Sequence, residues 1–123
     1  MPSIPYQFRF DAAAVEELRT RIALTRWPQR FAAHNWDFGV DQDYLRDVVD
    51  YWRDGFDFAA AERRINSVPN YLTPIDGLPI HHLHSRSAQE DAVPVLLLHG
   101  WPGSIVEFLE VISEAVRPGN GGT

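Results

Sequence analysis

The residues with the clearest chemical potential stand together: His99-Gly100-Trp101-Pro102-Gly103, set between the apolar run Val95-Leu96-Leu97-Leu98 and a segment opening on Ser104-x-x-Glu107. The run reads as a short strand buried on both faces. Ser104 and Glu107 form a capping-box pattern at the start of a helix. A turn between such elements presents free backbone N–H groups beside a helix N-terminus, which favours negative charge. In open α/β sheets, ligands collect at the carboxyl ends of strands. Gly100 and Gly103 allow close backbone approach, and Pro102 fixes local geometry in either the trans or the cis form. The arrangement suits stabilisation of a developing oxyanion, where one preorganised donor is worth about 3 kcal/mol. The same residue types serve in ordinary strand-to-helix turns, so spacing alone leaves both readings open.

Other residues invite chemistry less well. His81, His82 and His84 would alternate on a strand, with His82 and His84 on one face and His81 on the other. No carboxylate or further histidine nearby completes a ligand set, so sheet-packing or surface histidines are expected and no metal site. His99 is read as a structural, hydrogen-bonded histidine. Ser104 lacks a G-x-S-x-G surround and reads as a cap, not a nucleophile. Asp37-Phe38-Gly39 spells a kinase triplet, but no Gly-rich loop, V-A-I-K or H-R-D accompanies it. Trp27, Phe31, Trp36, Phe38, Trp52 and Phe56 read as core and lid packing, with an aromatic ligand cage as the alternative.

Stepping outward from these residues, 123 positions suffice for one compact domain. A net charge of −6, with no basic cluster, argues against nucleic acid or anionic membrane as partner. Without cysteine there is no disulfide, thiolate metal site or cysteine nucleophile. The start, Met1 to Tyr6, carries no basic-then-apolar leader pattern, and no apolar run approaches the roughly 20 residues that span a bilayer. A soluble, cytoplasmic protein is expected.

The elements that would hold the turn follow from periodicity. Residues 1–10 read as an extended, packed arm. Asp11 can cap a first helix with Val15, Leu18 and Ile22 on one stripe, ended by Pro28. Asp41 opens a second, with Leu45, Val48, Val49 and Trp52 in register, ended by Gly55. Asp57 can cap a third carrying Phe58, Ala61 and Ile65, stopped by Pro69. The period then changes: residues 71–75 and 78–84 read as strands joined by Asp76-Gly77, a two-residue hairpin turn. After a polar loop over 85–93 comes the apolar run, then a helix with Ile105, Phe108, Leu109, Ile112 and Val116 on one face. The tail from Arg117 is a Gly-rich breaker. The expectation is an α/β chain: a helical N-terminal extension over 1–70, then strands, turn and helix over 71–123.

His99-Gly100-Trp101-Pro102-Gly103-Ser104 resembles the H-G-x-P oxyanion motif of epoxide hydrolases, in the H-G-W-P-G-S form of the microsomal-type branch. Further likenesses run in order along the chain. Arg26-Trp27-Pro28 resembles R-W-P, and Trp36 with Gly39-Val40 resembles W-x-x-G-V. Tyr51-Trp52 with Phe56-Asp57-Phe58 resembles Y-W…F-D-W, with Phe58 in place of tryptophan. Ile65-Asn66 and Pro69-Asn70-Tyr71 resemble L-N and P-x-Y; Ile75-Asp76-Gly77-Leu78 with Ile80-His81 resembles the I-D-G-L-x-I-H hairpin. The likeness extends from about residue 6 to residue 117.

The resemblance implies the first strands of an α/β-hydrolase sheet, left incomplete, behind a helical N-terminal region. It implies a small-molecule epoxide as substrate and no cofactor. In that family an aspartate opens the epoxide and forms an ester, two tyrosines bond the epoxide oxygen, and a histidine activates water to release a diol. The oxyanion role falls on the backbone N–H of Trp101, within the motif residues His99, Gly100, Pro102 and Gly103. The nucleophile rides a G-x-D-x-G elbow; residues 1–123 contain no such pattern, and the acid tyrosines and base histidine also come later in the family. A remaining α/β-hydrolase portion is therefore expected as partner, and residues 1–123 alone are expected to be inactive. The family's sheet places strand four between strands two and three, so strand three at 95–98 would lack neighbours. Each buried unpaired group costs about 1–3 kcal/mol, so marginal stability is expected. A serine hydrolase or peptidase relative of the same fold, or a noncatalytic domain docking on a separate catalytic half, are the alternatives.

Overall fold

In the computed structural model, residues 2–29 and 36–117 are described. Phe31 of the aromatic loop, and the tail beyond Arg117, lie outside the described residues. The order of elements is β1 (Ile4–Tyr6), α1 (Ala12–Ala23), α2 (Gln42–Asp50), a π-helical turn (Tyr51–Gly55), α3 (Phe58–Ile65), β2 (Asn70–Ile75), β3 (Leu78–Leu83), a 3-10 turn (Ile105–Phe108) and α4 (Leu109–Ala115). By their own contacts the residues group into two units, one of residues 1–9 with 60–123, the other of 10–59.

In the unit of residues 10–59, Asp11 caps α1 by accepting the Ala13 amide at 2.9 Å, and Asp41 caps α2 through the Asp43 and Tyr44 amides. Ile22 is the buried member of the α1 stripe, with Val15 and Leu18 half-buried above it. The chain leaves helical structure at Leu24, four residues ahead of Pro28. The α2 stripe is less well covered: of Leu45, Val48, Val49 and Trp52, all but Val49 are exposed. Below α2 the helix widens to the π form. A methyl group on Gly55 would meet the Tyr51 ring at 2.7 Å, so glycine is what lets that ring fold onto the backbone. Arg19 Nε donates to the Arg53 carbonyl at 3.2 Å and joins α1 to this turn. The aromatic residues hold separate local contacts here: Arg46 lies 4.5 Å over the Trp27 ring, Trp36 tilts against Tyr44, and Phe56 meets Tyr51 and Phe58 edge-on. Phe38 is exposed.

The other unit is built on a three-stranded antiparallel sheet in the order β1-β2-β3. The hairpin forms as the residue pattern requires. Asp76 and Gly77 both take positive φ, 49° and 82°, and Ile75 faces Leu78 across the turn. The arm at residues 4–6 is a strand rather than merely extended: Pro5 stands opposite Tyr71 on the sheet edge, where a missing N–H is tolerated. Asn66 extends this pairing with its side chain, accepting the Phe8 N–H at 2.9 Å and donating to the Phe8 carbonyl at 2.8 Å. Ile65, Val68 and Leu109 form the buried apolar centre. Across the 3-10 turn and α4 the stripe of Ile105, Phe108, Leu109, Ile112 and Val116 is the covered face, while Val106 and Val111 are exposed.

One expectation is corrected. Val95–Leu98 does not form a buried strand: it has no ladder partner among the described residues, and Leu96 is 81% exposed. The physical reason is that a strand exists only through its neighbours. With neither edge paired among the described residues, the backbone groups are left to solvent, and Val95, Leu96 and Leu98 stay largely exposed while Leu97 is partly covered.

Candidate functional site

The turn at 99–104 is held by its own backbone and by one carboxylate. The Gly103 N–H donates to the Gly100 carbonyl at 2.7 Å, and His99 Nδ1 approaches the same oxygen at 3.2 Å. A carbonyl only accepts, so Nδ1 carries the proton in this contact. The Trp101–Pro102 peptide bond is cis. At the helix start Ser104 accepts the Val106 amide through Oγ at 3.3 Å, and Glu107 Oε1 accepts the Ser104 amide at 3.0 Å. The capping box read from S-x-x-E is thus complete. It opens a 3-10 turn, not the α-helix itself.

The two glycines of the motif differ. A methyl on Gly100 would meet nothing within 4 Å. A methyl on Gly103 would overlap the Glu107 carboxylate and crowd the Gly100 carbonyl oxygen at 2.9 Å. Among the described residues, the second position alone has neighbours that a side chain would meet.

The Gly100 carbonyl and the Trp101 N–H belong to one planar peptide unit and point in opposite directions. Turning the carbonyl inward, onto Gly103 and His99, therefore turns the Trp101 N–H outward. Among the described residues that N–H has no hydrogen-bond partner. Trp101 is 96% exposed, and His99, Gly100 and Pro102 are exposed with it. Trp101, His99, Gly100, Pro102 and Gly103 are brought together in one turn, and among the described residues none covers it. A cavity of about 320 Å³ lies elsewhere, beside Tyr6, Asn66, Asn70 and Tyr71.

The three sheet histidines are used in packing. Asn70, 5% exposed, donates through Nδ2 to the Ile65 and Val68 carbonyls at 3.0 and 2.6 Å. Its Oδ1 must then accept, so His81 Nε2, 2.8 Å away, is a donor. His81 also lies edge-on to Tyr6 and stacked on Phe8. Burial, with the neighbouring His82 as a smaller contribution, holds its pKa below the usual histidine value. His82 and His84 flank Tyr71 on the opposite face. Among the described residues no three His, Asp or Glu side chains are grouped to hold a metal ion, and no helix is long and apolar enough to cross a membrane.

A family model described as the epoxide hydrolase N terminus matches residues 3–108, from the edge strand through the turn. The chain belongs to the epoxide hydrolase family. A protein of Stigmatella aurantiaca named as an epoxide hydrolase is 44% identical over 114 residues, which is 93% of this chain and 26% of that protein. Epoxide hydrolase 1 of Sus scrofa is 30% identical over 122 residues, 96% of this chain and 27% of the relative. Among solved structures, the Aspergillus niger epoxide hydrolase superposes with a TM-score of 0.82 at 34% identity, over 93% of this chain and 30% of that one. The juvenile hormone epoxide hydrolase of Bombyx mori gives 0.81 at 28% identity, over 98% and 33%. The chain spans about a quarter of the length of these curated relatives. Its α/β-hydrolase character is that of the N-terminal part of the family fold: a small three-stranded sheet with helices.

What residue reasoning missed at the turn is the contact between Glu107 and Gly103. The S-x-x-E spacing carries the cap, but nothing in the spacing says that the carboxylate folds back over the preceding glycine.

Proposed function

We propose that this chain is the N-terminal region of an enzyme that converts an epoxide and water to a vicinal diol through an aspartyl ester. In this reading the Trp101 N–H is one of two donors to the oxyanion that forms when water attacks the ester. The motif residues His99, Gly100, Pro102 and Gly103 hold it there. The second donor, the nucleophilic aspartate, the acid tyrosines and the base histidine come from an α/β-hydrolase portion beyond residues 1–123. The substrate is a small-molecule epoxide and no cofactor takes part. The observation that carries the reading is the outward-turned, unpartnered Trp101 amide within the stretch that the family model covers. An amide held in place before charge develops needs no reorganisation at the moment of reaction, which is what makes such donors effective.

The test is co-expression of residues 1–123 with the α/β-hydrolase portion, followed by an assay for diol from an aryl epoxide. Diol from the pair and none from residues 1–123 alone is the expected result. Turnover by the isolated chain would overturn the claim that its nucleophile lies elsewhere. A pair that hydrolyses aryl esters through a serine, with no diol formed, would replace the epoxide reading by a serine hydrolase of the same fold.

A further inference from the structure

We infer that Glu107 is a positioning residue for the Trp101 amide, acting through the backbone of the turn; the inference rests on the oxyanion reading above for its catalytic consequence, though not for its geometry. The chain of contacts is continuous. Glu107 Oε1 accepts the Ser104 N–H at 3.0 Å, and the carboxylate lies against the Gly103 Cα, in the space a side chain would fill. Gly103 is thereby held with its own N–H on the Gly100 carbonyl, at 2.7 Å. That carbonyl shares a rigid peptide plane with the Trp101 N–H, so whatever fixes one fixes the direction of the other. A barrier near 20 kcal/mol resists rotation within that plane, whereas the plane itself turns freely about its flanking bonds unless the carbonyl is tied.

This assigns Gly103 a cause. It is glycine because the Glu107 side chain must pass over it, not because the turn needs a left-handed residue there; its φ is not among the positive ones. It also separates Glu107 from an ordinary helix cap. A cap that served the 3-10 turn alone would leave Trp101, six residues earlier, undisturbed when removed.

The experiment is ¹⁵N relaxation on the labelled chain, with the β2–β3 hairpin amides as a reporter of intact fold. In the native chain the Trp101 N–H is expected near the order parameter of rigid backbone, about 0.85, and in Glu107→Ala below about 0.6, with the hairpin unchanged. Glu107→Gln keeps an oxygen acceptor for Ser104 and is expected to retain the native value. Gly103→Ala displaces the carboxylate by a second route and is expected to loosen Trp101 as Glu107→Ala does. A native Trp101 that is already mobile, or one left rigid by both Glu107→Ala and Gly103→Ala, overturns the inference. Should Glu107→Ala disturb the hairpin, the comparison of Glu107→Gln with Gly103→Ala decides in its place.

The catalytic consequence is read in the co-expressed pair. Slowing only the ester-hydrolysis step of a two-step reaction lowers kcat and KM together and leaves kcat/KM unchanged, with the ester intermediate accumulating. Glu107→Ala is expected to lower both about tenfold. A mobile Trp101 with kcat and KM unchanged would leave the positioning role intact and overturn the oxyanion reading instead. A fall in kcat/KM with no accumulated ester would mean general damage to the site and count against both.

Discussion

Residues 71–84, as a hairpin, and residues 95–98 both read from pattern as strand, yet only the hairpin segments form strands. The hairpin carries its partner in its own sequence. Asp76 and Gly77 reverse the chain in two residues, at φ values of 49° and 82°, and bring Ile75 opposite Leu78. Loop closure costs little at that separation, and every strand residue finds its neighbour at once. The Val95–Leu98 run holds the same kind of side chains with no turn to bring a partner, and it remains open to water. Apolar composition makes a strand affordable; a nearby partner makes it real. The candidate turn at 99–104 lies at the end of the second kind of segment, and its internal geometry is set by its own hydrogen bonds.

The largest effect that would break this contrast is loss of the buried amide under the hairpin. Asn70→Ala removes the donor to two buried carbonyls, of Ile65 and Val68, and the acceptor of His81. Leaving such groups unsatisfied costs about 2–3 kcal/mol, or roughly a 30- to 150-fold loss of amide protection in β2 and β3. Protection reduced less than about threefold would mean that the hairpin stands on its turn alone.

A smaller effect tests the turn itself. Gly77→Ala keeps the space, since a methyl would meet nothing within 4 Å, but forces a side chain onto a φ of 82°. The expected cost is about 1 kcal/mol, read as roughly fivefold faster exchange at the Leu78 and Ile80 amides. An unchanged rate would show that register is set by the β1–β2 pairing rather than by the turn.

Smaller again is the effect of pH on the same unit. Burial favours neutral His81, so its folded pKa lies below the ordinary value near 6.5 while the unfolded pKa does not. The stabilisation is fully present above that ordinary value and is lost as the pH falls through it toward the folded pKa. Hairpin protection is therefore expected to decline between about pH 7.5 and pH 5. His81→Gln, which can still donate to Asn70, is expected to flatten that dependence. A slope that persists in the variant would assign it to other groups.

Much of this was legible in the residues. Asp76-Gly77 demanded the hairpin, Ser104-x-x-Glu107 the cap, and the spacing of Ile105, Phe108, Leu109, Ile112 and Val116 the covered face of the last helical segment. The edge strand at Ile4–Tyr6 was not, because three residues including Pro5 are too few to show alternation. Nor was the π turn at Tyr51–Gly55, because the spacing of Leu45, Val48, Val49 and Trp52 reads as one α-helix running on to Gly55. At the site, the motif fixed which residues share the turn. It did not say that the Trp101 amide is turned outward, because that follows from a hydrogen bond between Gly103 and Gly100 that residue types do not encode.

The smallest expected effect is the one that sharpens the contrast most. Leu96→Asn places a polar group where the present chain buries nothing, so within residues 1–123 it should change stability by less than about 0.5 kcal/mol, and hairpin protection by less than about threefold. In the co-expressed pair the same substitution meets a different environment. If the added α/β-hydrolase portion supplies strands on either side, residue 96 becomes a core position, and polar replacement costs several kcal/mol through lost burial and an unsatisfied amide. The two measurements together are worth more than either alone. Insensitivity in the chain with sensitivity in the pair shows that the run at 95–98 acquires its structure from its partner. Equal insensitivity in both would mean that the turn operates without the run ever becoming a strand.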